Sequence, residues 1–189
     1  MTVLLAVGAI ELGAGLYMPA KAAFAQHLVQ RAWQRGEQPD TGTPGRPWPW
    51  ADTYPIARLT TDATDEELFV LSGASGRTLA FGPGHLASSA LPGEVGNSVI
   101  LGHRDTHFRF LAELNTGDLL TIDREDGQRH AFAVTSLDVV DVSRATVTLD
   151  TAVPRLTLIT CYPFDTPQPG GPLRYVVSAE RVTSAAMAP

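Results

Sequence analysis

The residue best suited to chemistry is Cys161, the only cysteine in a chain of 189 residues. It ends the apolar run 157–161 and is followed by a loop rich in proline and glycine. A single cysteine can form neither an internal disulfide nor a zinc or iron–sulfur centre, so its thiol is either reactive or simply buried. Its position at the end of a predicted strand, beside a loop, favours a reactive thiol.

Two side chains of complementary chemistry are also predicted at strand ends. His103 ends the run 98–103, in which Val99, Leu101 and His103 share one face by period-two counting. Arg174 begins the strand that follows the loop after Cys161. A thiol, an imidazole and a guanidinium at strand ends form a set that a rigid β scaffold can present to solvent.

The elements that must position these groups are short strands. Turn signals rich in glycine and proline separate seven runs of β-branched, aliphatic and aromatic residues, while 108–114 alone indicates a helical turn. This spacing is typical of a small all-β barrel or sandwich. The predicted strands are 67–71, 78–81, 98–103, 118–123, 130–142, 155–161 and 173–182.

Composition narrows the possible functions. With 44% apolar residues, a chain of this length can bury one sizeable core, so we expect one folded domain over residues 56–189. The net charge of −6 disfavours nucleic acid as a partner, because binding to phosphates draws most of its affinity from clustered Lys and Arg.

The first 35 residues are predicted to form a membrane anchor and a juxtamembrane helix. Residues 3–17 are apolar apart from Glu11. A helix over that stretch would rise about 23 Å, less than the roughly 30 Å of a bilayer core. A cleaved signal peptide, with Ala20-Lys21-Ala22 as its cleavage site, is therefore the alternative to the favoured uncleaved anchor. The spacing of Phe24, Leu28 and Trp33 indicates an amphipathic helix, either juxtamembrane or buried against the domain.

Residues 36–55 contain five prolines and no sustained apolar period, which predicts an extended linker. Trp48 and Trp50 are unusual in such a segment. We expect both to pack on the folded domain, with the bilayer interface as the alternative.

The run Thr157-Leu158-Ile159-Thr160-Cys161 resembles the TLxTC signature of the sortases. The run Leu101-Gly102-His103-Arg104-Asp105-Thr106 is similar to their histidine segment, especially in class D and the related Gram-negative type. The resemblance extends to residues 17–22, 47–52, 82–85, 90–94 and 96–97, and so covers nearly the whole chain. It implies a closed eight-stranded β-barrel with short helical turns, preceded by the N-terminal helix.

The activity implied by this resemblance is that of a membrane-anchored cysteine transpeptidase. Such an enzyme cleaves the C-terminal sorting signal of a secreted protein and joins the new carboxyl end to an amine. The implied partners are the substrate protein, an amine acceptor and the membrane, and no cofactor or metal is implied. The Gram-negative likeness favours an inner-membrane anchor with the barrel in the periplasm, although a Gram-positive surface location would use the same residues.

Each predicted site residue has a role in this chemistry. Cys161 would carry the acyl group as a thioester, while His103 would give a proton to the first amine and take one from the second. Arg174 would stabilise negative charge on the carbonyl oxygen, with Arg104 and Arg155 as alternatives. Thr160 and the backbone N–H of Tyr162 would share that task.

Other interpretations remain open. The same Cys and His could serve a cysteine peptidase, or Cys161 could be buried in a non-catalytic, membrane-tethered binding module. A peptidoglycan transpeptidase is disfavoured because no His-Gly-Cys-type segment precedes Tyr162. His103 and His107 have the spacing of helical zinc ligands, but Arg104 stands where a zinc protease needs glutamate. We interpret the remaining histidines as surface or core residues: His27, His85 and His130.

Overall fold

The computed structural model describes residues 24–36, 45–166, 168 and 170–182. Eight strands make up most of the regular secondary structure, together with three helical segments. Helix α1 covers 24–36, α2 covers Gly76–Leu79 and a 3₁₀ helix covers Arg109–Ala112. The strands are β1 Pro55–Thr61, β2 Glu66–Ser72, β3 Gly84–His85, β4 Asn97–Leu101, β5 Leu119–Arg124, β6 Arg129–Asp141, β7 Arg155–Cys161 and β8 Leu173–Arg181.

The eight strands form a closed barrel in the order β1-β2-β3-β4-β7-β8-β6-β5. The pairs β2·β3 and β4·β7 are parallel, and the other described pairs are antiparallel. The expected all-β, closed eight-stranded barrel is therefore confirmed.

Alternation along the strands decides which side chains fill the barrel. In β7, Leu156 and Leu158 are fully buried in the core, so Cys161 has the opposite phase and faces outward. In β8, Val177 and Ala179 are equally buried, which places Arg174 on the outer face as well. The apolar periodicity of two strands therefore sets the direction of two predicted site residues.

Several predicted element boundaries were wrong. Residues 78–81 are not a strand, because Ser75 caps α2 by accepting a hydrogen bond from the backbone N–H of Thr78 at 3.2 Å. Strand β4 ends at Leu101, so His103 lies beyond the strand instead of ending it. Strands β1 and β3 were not among the predicted runs.

Helix α1 packs on the barrel through the small and aromatic residues of one face. Ala25, Val29, Ala32 and Trp33 are buried, and the Trp33 ring centroid lies 6.1 Å from that of Phe69. The predicted apolar face was wrong at one position, since Phe24 is exposed. The helix therefore buries a face against the barrel.

The segment between α1 and β1 is described from residue 45 onward. Trp48 packs edge-on against Phe81 with ring centroids 4.9 Å apart, whereas Trp50 is 82% exposed. Only one of the two tryptophans therefore packs on the barrel. Residues 1–23 of the predicted anchor and 37–44 of the predicted linker lie outside the described residues. Across the described ranges, no helix has the length and apolar character needed to cross a membrane.

Candidate active site

Cys161 occupies the last position of β7 and is a half-buried free thiol. Its Cα partner on β8 is Arg174. Directly opposed residues of antiparallel strands project to the same side of a sheet, so the thiol and the arginine share the outer face of the barrel. The sequence predicts both residues at strand ends, but only the structure gives the register that pairs them.

The Arg174 guanidinium is held by backbone carbonyls. Its Nη1 donates to the carbonyl oxygens of Gly171 and Leu173, each at 2.8 Å. It makes no salt bridge with a carboxylate in the described part of the chain. Both partners are neutral, so the positive charge of Arg174 remains uncompensated beside Cys161.

His103 leaves the barrel at the same end as Cys161. Leu101 of β4 pairs in parallel with Ile159 of β7, and the Gly102 N–H extends the ladder by donating to the Ile159 carbonyl at 3.1 Å. His103 and Cys161 each lie two residues beyond this pair. The imidazole is exposed, and the chain then turns so that the Phe108 N–H donates to the His103 carbonyl at 2.9 Å.

Gly102 is required by the packing around this turn. A Cβ atom at this position would lie 2.7 Å from the ring of Phe108, which is fully buried. Any larger residue would push the aromatic ring and the backbone apart. The glycine therefore allows the histidine segment to lie close to the core.

The predicted roles of Thr160 and Tyr162 as oxyanion donors disagree with their hydrogen bonds. The Thr160 hydroxyl is buried and donates to the Gly102 carbonyl at 2.8 Å. The Tyr162 N–H donates to the Leu173 carbonyl at 3.2 Å. Both donors are thus occupied within the scaffold, and the Thr160 hydroxyl instead ties β7 to the segment that carries His103.

The loop after Cys161 is packed by aromatic rings. Tyr162 stacks on Tyr175, with centroids 6.2 Å apart and planes 19° apart, and Phe164 meets Tyr175 edge-on at 5.1 Å. Partial burial, followed by the proximity of Tyr162 and Asp138, raises the pKa of Tyr175. The phenol therefore stays neutral at physiological pH, and the cluster fixes the backbone that follows the thiol.

Arg104 has a structural role that sequence reasoning missed. It is buried, and its Nη2 donates to the carbonyl oxygens of Thr166 at 3.0 Å and Gln168 at 2.6 Å. The arginine thus ties the histidine segment to the cysteine loop. Period-two counting does not reveal this role, because Arg104 lies in the turn beyond β4.

Arg155, the other alternative to Arg174, lies far from Cys161 along β7. Arg155 is at the opposite end of β7, where its Nη2 contacts the Glu180 carboxylate at 2.6 Å. An ion-paired guanidinium at that distance along the strand cannot approach the thiol. The geometry therefore favours Arg174 over both alternatives.

The remaining histidines have local explanations. His85 is buried, and its Nε2 lies 2.9 Å from the Ala90 carbonyl oxygen and 3.1 Å from the Ser89 hydroxyl. Burial, followed by the nearby His103, lowers the pKa of His107 against a weaker opposing effect of Asp105. His107 is thus uncharged at neutral pH. No group of three or more His, Cys, Asp and Glu residues suited to hold a metal occurs among the described residues.

Two cavities flank the segment that carries the histidine. One has a volume of about 560 Å³ and is lined by residues that include Arg104, Phe164 and Thr166. The other, of about 820 Å³, is lined by His103 together with residues of α1, β2 and α2. The segment that carries His103 therefore lies between one cavity on the side of the cysteine loop and one on the side of α1.

A barrel of this topology, with Cys and Arg opposed on its last two strands, defines a family of cysteine transpeptidases. The sortase domain model matches residues 59–182. This chain belongs to the sortase family.

Individual relatives agree with that assignment. Sortase D of Bacillus subtilis (strain 168) is 36% identical over 118 residues, which cover 62% of this chain and 59% of the relative. The likeness to class D that the sequence motifs implied is thus confirmed. The matched part spans less than two thirds of that relative's length.

Solved structures show the same fold. A sortase D5 transpeptidase from Clostridium perfringens has a TM-score of 0.60 at 25% identity, covering 69% of this chain and 80% of the other. A lid mutant of sortase A from Corynebacterium diphtheriae has a TM-score of 0.63 at 25% identity, covering 87% and 95%. The latter likeness extends over more of this chain than the family model matches.

Proposed function

We propose that this chain cleaves the C-terminal sorting signal of a secreted protein and joins the new carboxyl end to an amine through a thioacyl intermediate on Cys161. The observation that carries this proposal is the pairing of Cys161 with Arg174 on the outer face of β7 and β8. The parallel neighbour β4 leads to His103 at the same barrel end. A nucleophile, a cation and a proton carrier are thereby brought to one rim.

The first half-reaction forms the thioester. The Cys161 thiolate attacks the carbonyl carbon of the scissile peptide bond, and an electron pair moves to the carbonyl oxygen. As the C–N bond breaks, the imidazolium of His103 gives its proton to the leaving amine. The products are the acyl-enzyme and the released C-terminal peptide.

The second half-reaction restores the enzyme. An amine attacks the thioester carbonyl, and the proton on its nitrogen passes to the now neutral His103. The C–S bond breaks, and the sulfur of Cys161 leaves with its electron pair. The result is a new amide bond, with the thiolate and the imidazolium ready for another cycle.

Arg174 stabilises the oxygen anion that forms in both halves. Its guanidinium lies on the face of the thiol, and its hydrogen-bond partners among the described residues are the carbonyl oxygens of Gly171 and Leu173, just before it in the chain. A carbonyl is a weaker partner than an oxyanion, so exchanging one for the other as charge develops favours the transition state.

We also propose that residues 1–35 hold the barrel at the outer side of a membrane, with the periplasmic face of an inner membrane favoured. The support is the apolar stretch 3–17 and the resemblance to the Gram-negative type. Fractionation of cells that express the full chain, with protease added from outside the inner membrane, tests this location. Resistance to that protease would contradict the proposal.

Mass spectrometry of the full chain, mixed with a peptide pool that varies before the cleaved bond and with an added amine, tests the chemistry. We expect an acyl adduct on Cys161 and an amine-joined product, both absent from Cys161→Ala. An adduct that only hydrolyses would indicate a peptidase. No adduct with any peptide, together with a thiol that resists labelling, would indicate a binding module.

A further inference from the structure

The outer face of α1 differs in charge from the rest of the chain. The whole chain has a net charge of −6, yet residues 12–36 contain no Asp or Glu. Arg31 and Arg35, one helical turn apart in α1, are both exposed, and Lys21 precedes the helix. The helix is therefore a local concentration of positive charge on an acidic protein.

A groove runs along this face, away from the site of Cys161. Its volume is about 460 Å³. The two arginines line it together with Leu28, Gln34 and Pro47. Two guanidinium groups and an amide supply N–H donors in the geometry that suits phosphate oxygens, while the apolar side chains suit an apolar part of the same molecule. The groove is therefore fitted to a phosphate group that carries an apolar portion.

The two walls of the groove are tied together. The Arg35 Nη2 donates to the Arg46 carbonyl at 3.0 Å, and its Nε donates to the Arg31 carbonyl at 3.2 Å. These bonds use two of the five N–H donors of the guanidinium. The chain passes so close to α1 at Gly45 that a Cβ atom there would collide with the Ala32 carbonyl oxygen. The groove is thus already formed, with the Arg35 guanidinium held against its wall.

Exposed aromatic side chains accompany the groove. Trp50 is 82% exposed and Phe24, the first residue of α1, is 62% exposed. Trp50 follows Pro47 by three residues, so the two backbones lie within about 11 Å of each other. Tryptophan is enriched where protein meets the headgroup region of a bilayer, and aromatic residues beside arginines are typical of surfaces that rest on lipid.

The chain that precedes α1 favours a bilayer as the partner of this face. The apolar stretch 3–17, proposed above as the anchor, is separated from α1 by residues 18–23 alone. At about 3.6 Å per residue, α1 therefore begins within about 25 Å of the end of that stretch. An anchored chain keeps the helix within reach of the headgroups.

We propose that the groove on α1 binds the phosphate headgroups of anionic phospholipids, so that the outer face of α1 lies on the membrane surface. This inference deepens the proposed membrane location and rests on it for the choice of a bilayer as partner. Arg31 and Arg35 donate hydrogen bonds to the phosphate oxygens, and Leu28 and Pro47 contact the apolar part of the lipid. The barrel is then held with its α1 side against the bilayer.

A fluorescent label beside the groove tests this assignment. His27 is exposed, lies one turn before Arg31 and is not part of the groove lining. In the full chain with Cys161→Ala, the residue introduced by His27→Cys is the single thiol and takes a polarity-sensitive dye. In vesicles of phosphatidylcholine with increasing phosphatidylglycerol, the dye emission should rise and shift to the blue. Arg31→Gln with Arg35→Gln should weaken the apparent affinity for phosphatidylglycerol about tenfold, because each arginine near an anionic surface contributes about fivefold.

The matched control is Arg109→Gln with Arg144→Gln, which removes the same charge from exposed arginines elsewhere on the barrel. It should leave the response unchanged. Arg31→Lys with Arg35→Lys should retain most of the response, since it keeps the charge. A dye attached through Thr135→Cys, at an exposed position of β6, should not respond. Equal losses in the two glutamine pairs, or equal responses at the two dye positions, would overturn the headgroup site.

Flotation of the same chain with vesicles of phosphatidylcholine alone separates this inference from the anchor. A chain that does not float would overturn the proposed membrane location. A chain that floats while its dye ignores phosphatidylglycerol would overturn the headgroup site alone. Inorganic phosphate is added to the chain without vesicles as the last arm. The same spectral change there would show that the groove takes free phosphate and would overturn the choice of a bilayer.

Discussion

The two ends of the β7–β8 pair each place an arginine opposite a residue that decides how its charge is used. At the far end, Arg155 is opposite Glu180, and the two side chains form an ion pair at 2.6 Å. At the near end, Arg174 is opposite Cys161, and its hydrogen-bond partners among the described residues are backbone carbonyls. The same scaffold thus yields a neutralised arginine at one end and an uncompensated one at the other.

The difference indicates what each end contributes. A cross-strand ion pair adds a modest amount to sheet stability and leaves little field for a ligand. An arginine with neutral partners keeps its charge available for a group that becomes negative during a reaction. Arg104 at the near end also bonds to carbonyl oxygens, those of Thr166 and Gln168, but it is buried and ties the histidine segment to the cysteine loop.

The largest effect should come from removing the uncompensated charge. Arg174→Ala should lower kcat/KM for transpeptidation by about 10²- to 10³-fold, the usual loss for an oxyanion donor. Arg174→Lys should recover part of the loss, since it keeps the charge without the planar fork. Steady-state kinetics with an accepted donor and amine measures both.

The control for this change is Arg155→Ala on the same pair of strands. It should keep kcat/KM within about twofold and lower the free energy of unfolding by about 1 kcal/mol or less. Equal activity in Arg174→Ala and Arg155→Ala would show that the two ends do not differ in function.

A smaller effect should follow from making the near end resemble the far end. Val140 of β6 is directly opposite Arg174 on its other side. Val140→Glu should place a carboxylate beside the guanidinium, as Glu180 stands beside Arg155. We expect kcat/KM to fall about fivefold, because the arginine must leave a charged partner to meet the oxyanion.

The matched variant is Val140→Gln, which has nearly the same shape as glutamate without the charge. It should retain activity close to that of the unaltered chain. Added salt should restore part of the activity of Val140→Glu, since screening weakens an exposed pair. A loss of equal size in both variants would assign the effect to shape and not to charge.

Much of the barrel could be predicted because its strands alternate. The run 155–161 was predicted with its observed bounds, and the all-β barrel class followed from such runs. Strand β3 was missed because two residues are too short for a period. The segment 78–81 was misassigned because the cap from Ser75 outweighs the strand preference of its threonine and aromatic residue.

The candidate site was predictable in its residue types and less so in its contacts. A lone cysteine at a strand end and a histidine after an apolar run could be found in the sequence. The register that sets Arg174 opposite Cys161 depends on how the loop closes, which the sequence pattern does not give. The hydrogen bond of Thr160 to Gly102 could not be predicted either, since it joins two residues that lie 58 positions apart in the sequence.

The smallest expected effect concerns His130, whose barrel end is the one with Arg155 and Glu180. The residue is 4% exposed, and neither ring nitrogen has a hydrogen-bond partner among the described residues. Burial, followed by the nearby Arg181 and Arg124, lowers the pKa of His130 against a weaker opposing effect of Asp126. A buried ring that stays uncharged and unpartnered adds little to the fold beyond its volume.

We therefore expect His130→Leu to be more stable than the unaltered chain by about 1 kcal/mol at pH 7, measured by urea unfolding. Below about pH 6.5 the unfolded imidazole takes up a proton that the folded one refuses, so the free energy of unfolding falls as the pH falls. His130→Leu should lose less stability over that range, with the remaining slope from His85 and His107, whose pKa values burial also lowers. An unchanged slope would mean that the far end does not control stability through this histidine. If His130→Leu also lowers the rate of transpeptidation at pH 7, the two ends of the barrel are coupled.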